Sequence, residues 1–406
     1  ALAAGTGELD EGTRLLTENL DPETTPTQFI RAATMAQIDA GDREDALKTL
    51  ERAIKARPKD NELLAMHGIL ALSLPDHREA GAISLSKAIN NEPDRVRLRL
   101  ALAHYHIRNN QPEQALGQLR MAFTSNPEDW NTTGTYLNLL IQQGETTEAA
   151  EIRDSLLNGY GEMPTAVMLA GWADAQLGNV VRAKASFEEL IKEQPGLQMA
   201  RVALAMLHSQ TGDKDKAIQT LIDAAKLTPE TIQPLQKAAQ IYAQEHSVPE
   251  TVNWLETIAA ENPSLEMNAD ILVAMISLRE GKLEHASFLL NKWRDSESIA
   301  ARRALGQLLQ AEARAAASEG DYTNARAKAA EAISLEPENL RYALLPVAIN
   351  QMEGKPQEAL NALNAVEERF GTERPVVLSR AALLSQKDGN GPAYAYLLEQ
   401  WQRSQD

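Results

Sequence analysis

The 406-residue chain carries 40 Lys and Arg against 57 Asp and Glu, so its formal net charge is −17 and neither nucleic acid nor anionic lipid is expected as a partner. It contains no cysteine, which excludes disulfides, thiolate metal sites and thiol nucleophiles, and no apolar run long enough to span a membrane. Apolar residues make up 43% of the chain but aromatic residues only 4%, a balance that favours stacked Ala- and Leu-rich helices over a β-sandwich.

The first 22 residues predict a single amphipathic helix, from Leu9 to Leu20, that is closed by Pro22. It has the pattern of the second helix of a pair, and no first helix precedes it. We therefore expect a half repeat here. Either the chain begins inside a longer array, or this segment is a natural N-terminal cap.

From residue 26 onward, two amphipathic segments separated by a tight turn recur along the chain, and each recurrence predicts a helix pair. The clearest unit runs from Pro195 to Pro229, with Gly212 between its two helices. The eleven predicted pairs are 26–40 with 43–56, 60–74 with 77–91, 95–109 with 112–125, 129–143 with 146–158, 164–177 with 180–193, 197–211 with 214–227, 231–245 with 249–261, 265–280 with 283–295, 299–319 with 322–335, 339–353 with 356–370, and 374–388 with 391–403.

Prolines and glycines punctuate these pairs at a fixed period, which is the signature of an internal repeat. Asn110 and His246 stand where a turn glycine is expected. The closing prolines Pro195, Pro229 and Pro263 follow one another at intervals of 34 residues. The turn glycines Gly144, Gly178 and Gly212 have the same interval. Further turns are predicted at Gly41, Gly281, Gly320, Gly354 and Gly389.

A small residue follows most turns by five positions, and a larger apolar residue follows four positions later. Small residues are needed where two helices cross closely, because a large side chain there costs about 1–3 kcal/mol in overpacking. The small residues are Ala46, Ala115, Ala149, Ala183, Ala217, Ala325 and Ala359, and the larger ones include Leu50, Leu119, Phe187, Leu221 and Leu363. This pattern resembles the tetratricopeptide repeat. The resemblance implies an all-α, right-handed superhelical solenoid of antiparallel helix pairs, whose first helices line a concave groove that binds proteins.

Two interruptions of the period predict joints. Gly159–Pro164 replaces a single closing proline with two glycines, and Asp295–Ala304 has lost its proline. After the half repeat at 1–22, we therefore predict an N-terminal segment at 23–161, a central segment at 162–296 and a C-terminal segment at 297–406, joined without a flexible linker.

The sequence shows no catalytic constellation, and no cofactor is expected. Of the seven histidines only His104 and His106 are close, and two positions apart on a helix they point in nearly opposite directions. No metal site is expected for this reason, and no phosphate-binding or hydrolase motif occurs.

The resemblance places the candidate binding residues on the first helices, at positions that face the groove. These positions hold uncharged polar residues, methionine and arginine, with few acids, which suits recognition, although an unused solvated face is the alternative. The candidates are Arg31, Met35, Arg97, His104, Asn131, Asn138, Met168, Trp172, Met199, Met206, Gln233, Gln236, Gln240, Arg314 and Arg341. Trp172, together with Met168, Met206 and Gln240, is expected to form part of the partner site. The alternative is that Trp172 packs on the neighbouring first helix, near Met168.

Two specialised forms of the family are not expected. The carboxylate clamp needs lysines and asparagines at set positions of the first helices, where Arg31, Met66 and Leu100 stand instead. The asparagine ladder of the nuclear sugar-transferring proteins is replaced by residues such as Ala101 and Leu169.

The leading hypothesis is therefore a non-enzymatic protein-interaction scaffold with a protein partner in its groove. Long cysteine-free arrays resemble, in composition, the bacterial envelope proteins of exopolysaccharide assembly and export, so a periplasmic or envelope location is expected, with the cytoplasm as the alternative. A second hypothesis is a groove that binds a polysaccharide directly. Several surface aromatics in register would favour it, and only Trp172 offers one.

Overall fold

The computed structural model describes residues 20, 21, 24–371 and 373–403, and over these residues every regular element is a helix and no strand occurs. The helix predicted for residues 1–22 lies outside the described residues except for Leu20 and Asp21. The chain divides into two compact units, residues 1–190 and 191–406. The three segments predicted from the sequence remain a prediction.

The first unit contains successive antiparallel helix pairs. Their helices are α1 (Thr27–Asp39), α2 (Arg43–Ala56), α3 (Asn61–Ser73), α4 (Arg78–Asn91), α5 (Val96–Arg108), α6 (Pro112–Ser125), α7 (Trp130–Gln143), α8 (Thr146–Tyr160), α9 (Pro164–Gln176) and α10 (Val180–Glu193), in which the division between the units falls. A short 3-10 turn, Pro75–His77, joins α3 to α4.

The second unit repeats the arrangement. Its helices are α11 (Gln198–Gln210), α12 (Lys214–Leu227), α13 (Gln233–Tyr242), α14 (Val248–Glu261), α15 (Glu266–Arg279), α16 (Leu283–Asn291), α17 (Ile299–Ser318), α18 (Tyr322–Leu335), α19 (Leu340–Ala343), α20 (Leu345–Met352), α21 (Pro356–Phe370), α22 (Arg374–Asp388) and α23 (Asn390–Arg403). The all-α architecture of antiparallel helix pairs is confirmed.

The turns inside the pairs use left-handed backbone, which explains their glycines. Gly212 has φ of +87°, and the other predicted turn glycines also have positive φ. Asn110 takes the same role with φ of 55°, as its position predicted. His246 does not: among the described residues Asn110 alone has positive φ without being glycine. The turn after Tyr242 instead ends in a capping box, in which Ser247 and Glu250 satisfy each other's backbone N–H groups.

The alanines at the helix crossings are among the most deeply buried residues of the fold. Ala46, Ala115, Ala149, Ala183, Ala217, Ala325 and Ala359 are all 0% exposed. Each lets a second helix approach its neighbours closely, and the larger residue four positions on fills the adjacent space. Leu50, Leu119, Leu221 and Leu363 are accordingly 0% exposed as well.

A buried ion pair, which the sequence analysis did not predict, ties α8 to α9. The Arg153 guanidinium contacts the Asp174 carboxylate, and the two residues are 5% and 1% exposed. Asn179 donates a further hydrogen bond to Asp174 at 2.9 Å, and Arg153 also lies 2.9 Å from Asp154. This network joins the second helix of one pair to the first helix of the next.

Two predicted helices differ from the structure for local reasons. The predicted helix 339–353 is divided at Leu344 into α19 and α20, because Pro346 has no N–H to donate to the carbonyl four residues earlier. Helix α16 ends at Asn291 rather than at 295. In the connection that follows, the Trp293 indole N–H donates to the Asp270 carboxylate at 2.9 Å.

Candidate partner-binding groove

The fifteen candidate residues all lie on the first helix of a pair, and none of them is fully buried. Twelve are exposed, whereas Met168, Trp172 and Gln236 are half-buried. The first helices are therefore available for binding along both units. Whether a partner uses these residues stays a prediction.

In the first unit, the consecutive first helices α3 and α5 enclose the largest of the open cavities described here. Its volume is about 780 Å³, and it is lined by Met66 and Ile69 of α3, Arg97 of α5, and the segments that enter α5 and α7. Apolar side chains and a charged rim thus meet in one open space. This mixture is typical of surfaces that bind proteins.

A second cavity, of about 250 Å³, lies at the other end of the same two helices. Ile69 lines both cavities and is 53% exposed, so it separates them as an uncovered apolar side chain. The second cavity is also lined by His104 and Arg108 of α5 and by Arg78, the first residue of α4. We call the two cavities and Ile69 the α3–α5 groove.

The charges differ along the α3–α5 groove. In the larger cavity Glu62 is paired with Arg31 at 2.8 Å, across α3 and α1, and Asp129 caps α7 by accepting from the backbone of Thr132. No carboxylate lines the smaller cavity. Burial lowers the pKa of the His104 imidazole below its ordinary value, and the Arg108 guanidinium nearby lowers that pKa further.

In the second unit, the predicted glutamines lie beside the next first helix. Gln236 and Gln240 of α13 share a cavity of about 150 Å³ with Met275 and Arg279 of α15. Gln233 lines a separate cavity of about 690 Å³ near the start of α17, and Arg341 lines one of about 670 Å³ beside the start of α22.

Two family models described as tetratricopeptide repeat match residues 15–160 and 168–231, together just over half of the chain. The chain belongs to the tetratricopeptide repeat family. A search of curated protein sequences finds no significant match.

Solved tetratricopeptide repeat structures resemble the chain at low sequence identity. A tetratricopeptide repeat protein from Parabacteroides merdae is 16% identical, with 70% of this chain and 98% of that chain covered and a TM-score of 0.42. YrrB, described as a tetratricopeptide repeat protein with an unusual peptide-binding site, is 15% identical, covers 46% of this chain and 96% of its own, and has a TM-score of 0.34. The hetero-tetramer Cut9–Hcn1 of the APC/C is 13% identical, with 93% and 87% covered and a TM-score of 0.35. Every TM-score is below 0.5, so these likenesses support no conclusion about function.

Within the tetratricopeptide repeat array, the structure groups only some of the candidates. Arg97 and His104 belong to the α3–α5 groove, with Arg31 beside it through its ion pair to Glu62. Asn131 and Asn138 are exposed on α7. None of the cavities described above is lined by Met35, Asn131, Asn138, Met168, Trp172, Met199, Met206 or Arg314.

Trp172 is half-buried and packs against the hydrophobic cluster that contains Leu140 and Leu156. This contact favours the packing interpretation, since part of the indole is already used inside the fold. Met168 and Trp172 belong to the first unit, whereas Met206 and Gln240 belong to the second. A joint binding role for these four residues stays a prediction.

Sequence reasoning missed Ile69, Arg78 and Arg108. Arg108 follows His104 by one helical turn, so its place on the same face was available from the spacing. Arg78 could not be found in this way because it begins a second helix, whereas the family's groove positions lie on first helices. Its neighbourhood depends on how successive repeats stack.

Among the described residues, none of the helices combines the length and the apolar character that a membrane-spanning segment requires. The same residues contain no cluster of histidine and carboxylate side chains that could hold a metal ion.

Proposed function

We propose that this tetratricopeptide repeat protein is a non-enzymatic scaffold that binds a protein partner in the α3–α5 groove. Tetratricopeptide repeat proteins generally act as protein-interaction scaffolds. The observation that supports this particular groove is Ile69, a large apolar side chain left half exposed between two cavities of about 780 and 250 Å³. An apolar anchor point surrounded by polar groups is the arrangement in which binding energy concentrates.

The groove also offers cations that the fold itself does not use. Arg97 lines the larger cavity, and no described residue forms an ion pair or hydrogen bond with it. In a chain with a net charge of −17, unpaired arginines on a first-helix surface favour a partner that contributes acidic groups at the groove.

We further propose that the scaffold works in a bacterial envelope, in the assembly or export of an exopolysaccharide. What supports this setting is composition alone: a long, acidic, cysteine-free repeat array. Deletion of the native gene should then reduce secreted polysaccharide, and the protein should fractionate with the envelope. Normal polysaccharide output from the deletion strain would contradict this proposal.

Direct binding of polysaccharide by the groove is less well supported. Sugar rings stack on exposed aromatic side chains, and Tyr105 is the one tyrosine, tryptophan or phenylalanine among the residues lining the two α3–α5 cavities. The protein-partner proposal therefore remains the preferred one.

The experiment uses two isoleucines of matched type and exposure. Ile69→Asp places a charge between the two cavities, whereas Ile83→Asp places one on the second helix α4, where Ile83 is 51% exposed and lines neither cavity. A photo-crosslinking residue at Arg97 should capture a protein in cells, and Ile69→Asp should abolish that capture while Ile83→Asp leaves it intact. Equal capture by both variants would exclude the α3–α5 groove.

A further inference from the structure

The smaller cavity of the α3–α5 groove holds cationic groups that have no counter-charge. The hydrogen-bond donors lining it include the guanidinium groups of Arg78 and Arg108 and the imidazole of His104. No described residue forms an ion pair or a hydrogen bond with any of these three side chains. Several described arginines, such as Arg31 and Arg120, are paired with a carboxylate, whereas no carboxylate lines this cavity.

Two other polar side chains of this cavity are already engaged within the fold. Ser73 donates its hydroxyl to the carbonyl of Leu70 at 2.6 Å, and Asn109 donates its amide to the carbonyl of Tyr105 at 3.0 Å. The side-chain donors without a described partner therefore belong to Arg78, His104, Arg108 and the hydroxyl of Tyr105, and only the two guanidinium groups among them carry a permanent positive charge.

Arg78 provides a second observation at this cavity. Its Nε atom is buried yet has no hydrogen-bond partner. Buried donors in native proteins are usually satisfied, so the unpaired nitrogen shows that the fold itself does not engage this guanidinium fully. A guanidinium pairs best with a planar carboxylate, to which it can donate two parallel hydrogen bonds.

We propose that this cavity binds the carboxylate of an aspartate or glutamate in an acidic, partly apolar segment of the protein partner. The apolar part of the segment lies on Ile69 and Leu72, which line the same cavity as the cations. A volume of about 250 Å³ is below the ~300–1,000 Å³ of ordinary small-molecule sites, so it suits one or two side chains rather than a free cofactor.

This site differs from the carboxylate clamp that the sequence excluded. The clamp is built from first helices, whereas Arg78 is the first residue of a second helix and reaches the cavity from the turn that follows α3. The identity of the ligand as a protein segment rests on the proposed function. The location of the site rests on the unpaired cations.

The test is calorimetric titration of the full chain with a capped hexapeptide of alternating leucine and glutamate, in low salt. Its control is the peptide with glutamine in place of glutamate. We expect the glutamine peptide to bind at least about tenfold more weakly, because it cannot form charge-assisted hydrogen bonds. The double variant Arg78→Gln with Arg108→Gln should bind the glutamate peptide at least about tenfold more weakly than the wild type, because it loses two charged partners of the carboxylates.

Arg52→Gln is the matched control variant, since Arg52 is exposed on α2, has no ion pair among the described residues and lines neither cavity. It should leave the affinity for the glutamate peptide unchanged, and circular dichroism should show that all variants are folded. The proposal would be overturned if the wild type bound neither peptide or bound both equally well. It would also be overturned if the double variant bound the glutamate peptide as tightly as the wild type does.

A third titration, with an oligogalacturonate, distinguishes an acidic sugar from an acidic peptide. Binding of the sugar that depends on Arg78 and Arg108, without binding of the peptide, would overturn the peptide assignment.

The proposed function is tested separately. If Ile69→Asp abolishes capture of the partner but the arginine double variant binds peptide and partner normally, the scaffold proposal stands and the carboxylate site fails. If the peptide binds as expected but Ile69→Asp captures normally, the carboxylate site stands and the groove fails as the partner site.

Discussion

Gly171 shows how a single atom can decide the packing of a helix pair. A β-carbon built at this position would lie 2.8 Å from the ring of Phe187, which is 1% exposed and so has little room to move. The glycine of α9 therefore permits the close approach of α10, at a cost in helix propensity.

Gly171→Ala should destabilise the protein by about 1 kcal/mol, because overpacking of about 1–3 kcal/mol outweighs a propensity gain of at most about 1 kcal/mol. The control is Gly117→Ala on α6, where nothing lies within 4 Å of the added β-carbon. That variant should be more stable than the wild type by about 0.5–1 kcal/mol. Urea unfolding checks both variants, and the prediction fails if the two changes have the same sign.

His67 is a titratable group held inside α3. It is 3% exposed, its Nδ1 has no hydrogen-bond partner, and burial lowers its pKa below the ordinary value of 6.5. Glu51 opposes this lowering of the pKa, whereas His77 and Lys87 add to it.

Below pH 6.5 the unfolded chain therefore binds a proton at His67 that the folded chain resists, so this residue makes stability fall as the pH falls. We expect the loss of unfolding free energy between pH 8 and pH 5.5 to be smaller in His67→Leu than in the wild type. The leucine variant is compared with itself at the two pH values, so any constant cost of the substitution cancels. An identical pH dependence in both proteins would show that His67 does not titrate in this window.

At the scale of the helices, the Arg153–Asp174 pair is the most deeply buried ion pair among the described residues. Both side chains are buried, and the pair joins α8 to α9. Removal of one partner from a buried ion pair leaves an uncompensated charge, whereas replacement of both by apolar residues often costs little.

Asp174→Ala should destabilise the protein by about 3 kcal/mol, the lower end of the ~3–5 kcal/mol typical of broken buried pairs. The lower end is expected because Asp154 still contacts Arg153 at 2.9 Å. The double variant Arg153→Met with Asp174→Leu should recover most of that loss. Chemical unfolding of the two variants provides the measurement, and a double variant less stable than the single one would contradict the argument.

At the scale of the whole chain, stability is a sum over neighbouring repeats rather than the property of one core. The described residues form several separate hydrophobic clusters, three of which span residues 30–71, 100–173 and 222–349, and the chain divides into units of residues 1–190 and 191–406. One cluster includes Leu156 and Ala166, on either side of Gly159–Pro164, and another includes Leu290 and Ala301, on either side of residues 292–298. Core packing therefore continues past both predicted joints.

We expect urea unfolding of the full chain to be broader than a single two-state transition, with different midpoints for the tryptophan signals of the two units. Limited proteolysis should cut first near Gly159–Pro164 or Asp295–Ala304. Residues 292–298 form the longest connection between described helices, and backbone outside helices opens more readily. An initial cut within residues 197–227, which are almost entirely helical, would contradict both joints.

The sequence determined the repeat, because every signal of the repeat is local. Turn glycines, closing prolines and crossing alanines are fixed by backbone dihedrals and steric limits within some 34 residues, so their spacing predicted the helix pairs to within a few residues. The exceptions are also local. His246 stands in a turn that needs no left-handed residue, and Pro346 interrupts a helix whose apolar pattern continues across it.

Only the tertiary structure decided which side chains of different repeats meet. Arg78 and Arg108 are 30 positions apart, and Arg153 and Asp174 are 21 apart, so no helical period relates the members of either pair. Their proximity depends on how one helix pair stacks on the next, which is set by the sum of many buried contacts. The repeat period identified the helices that face a partner, and stacking decided that one cavity between them would hold unpaired cations.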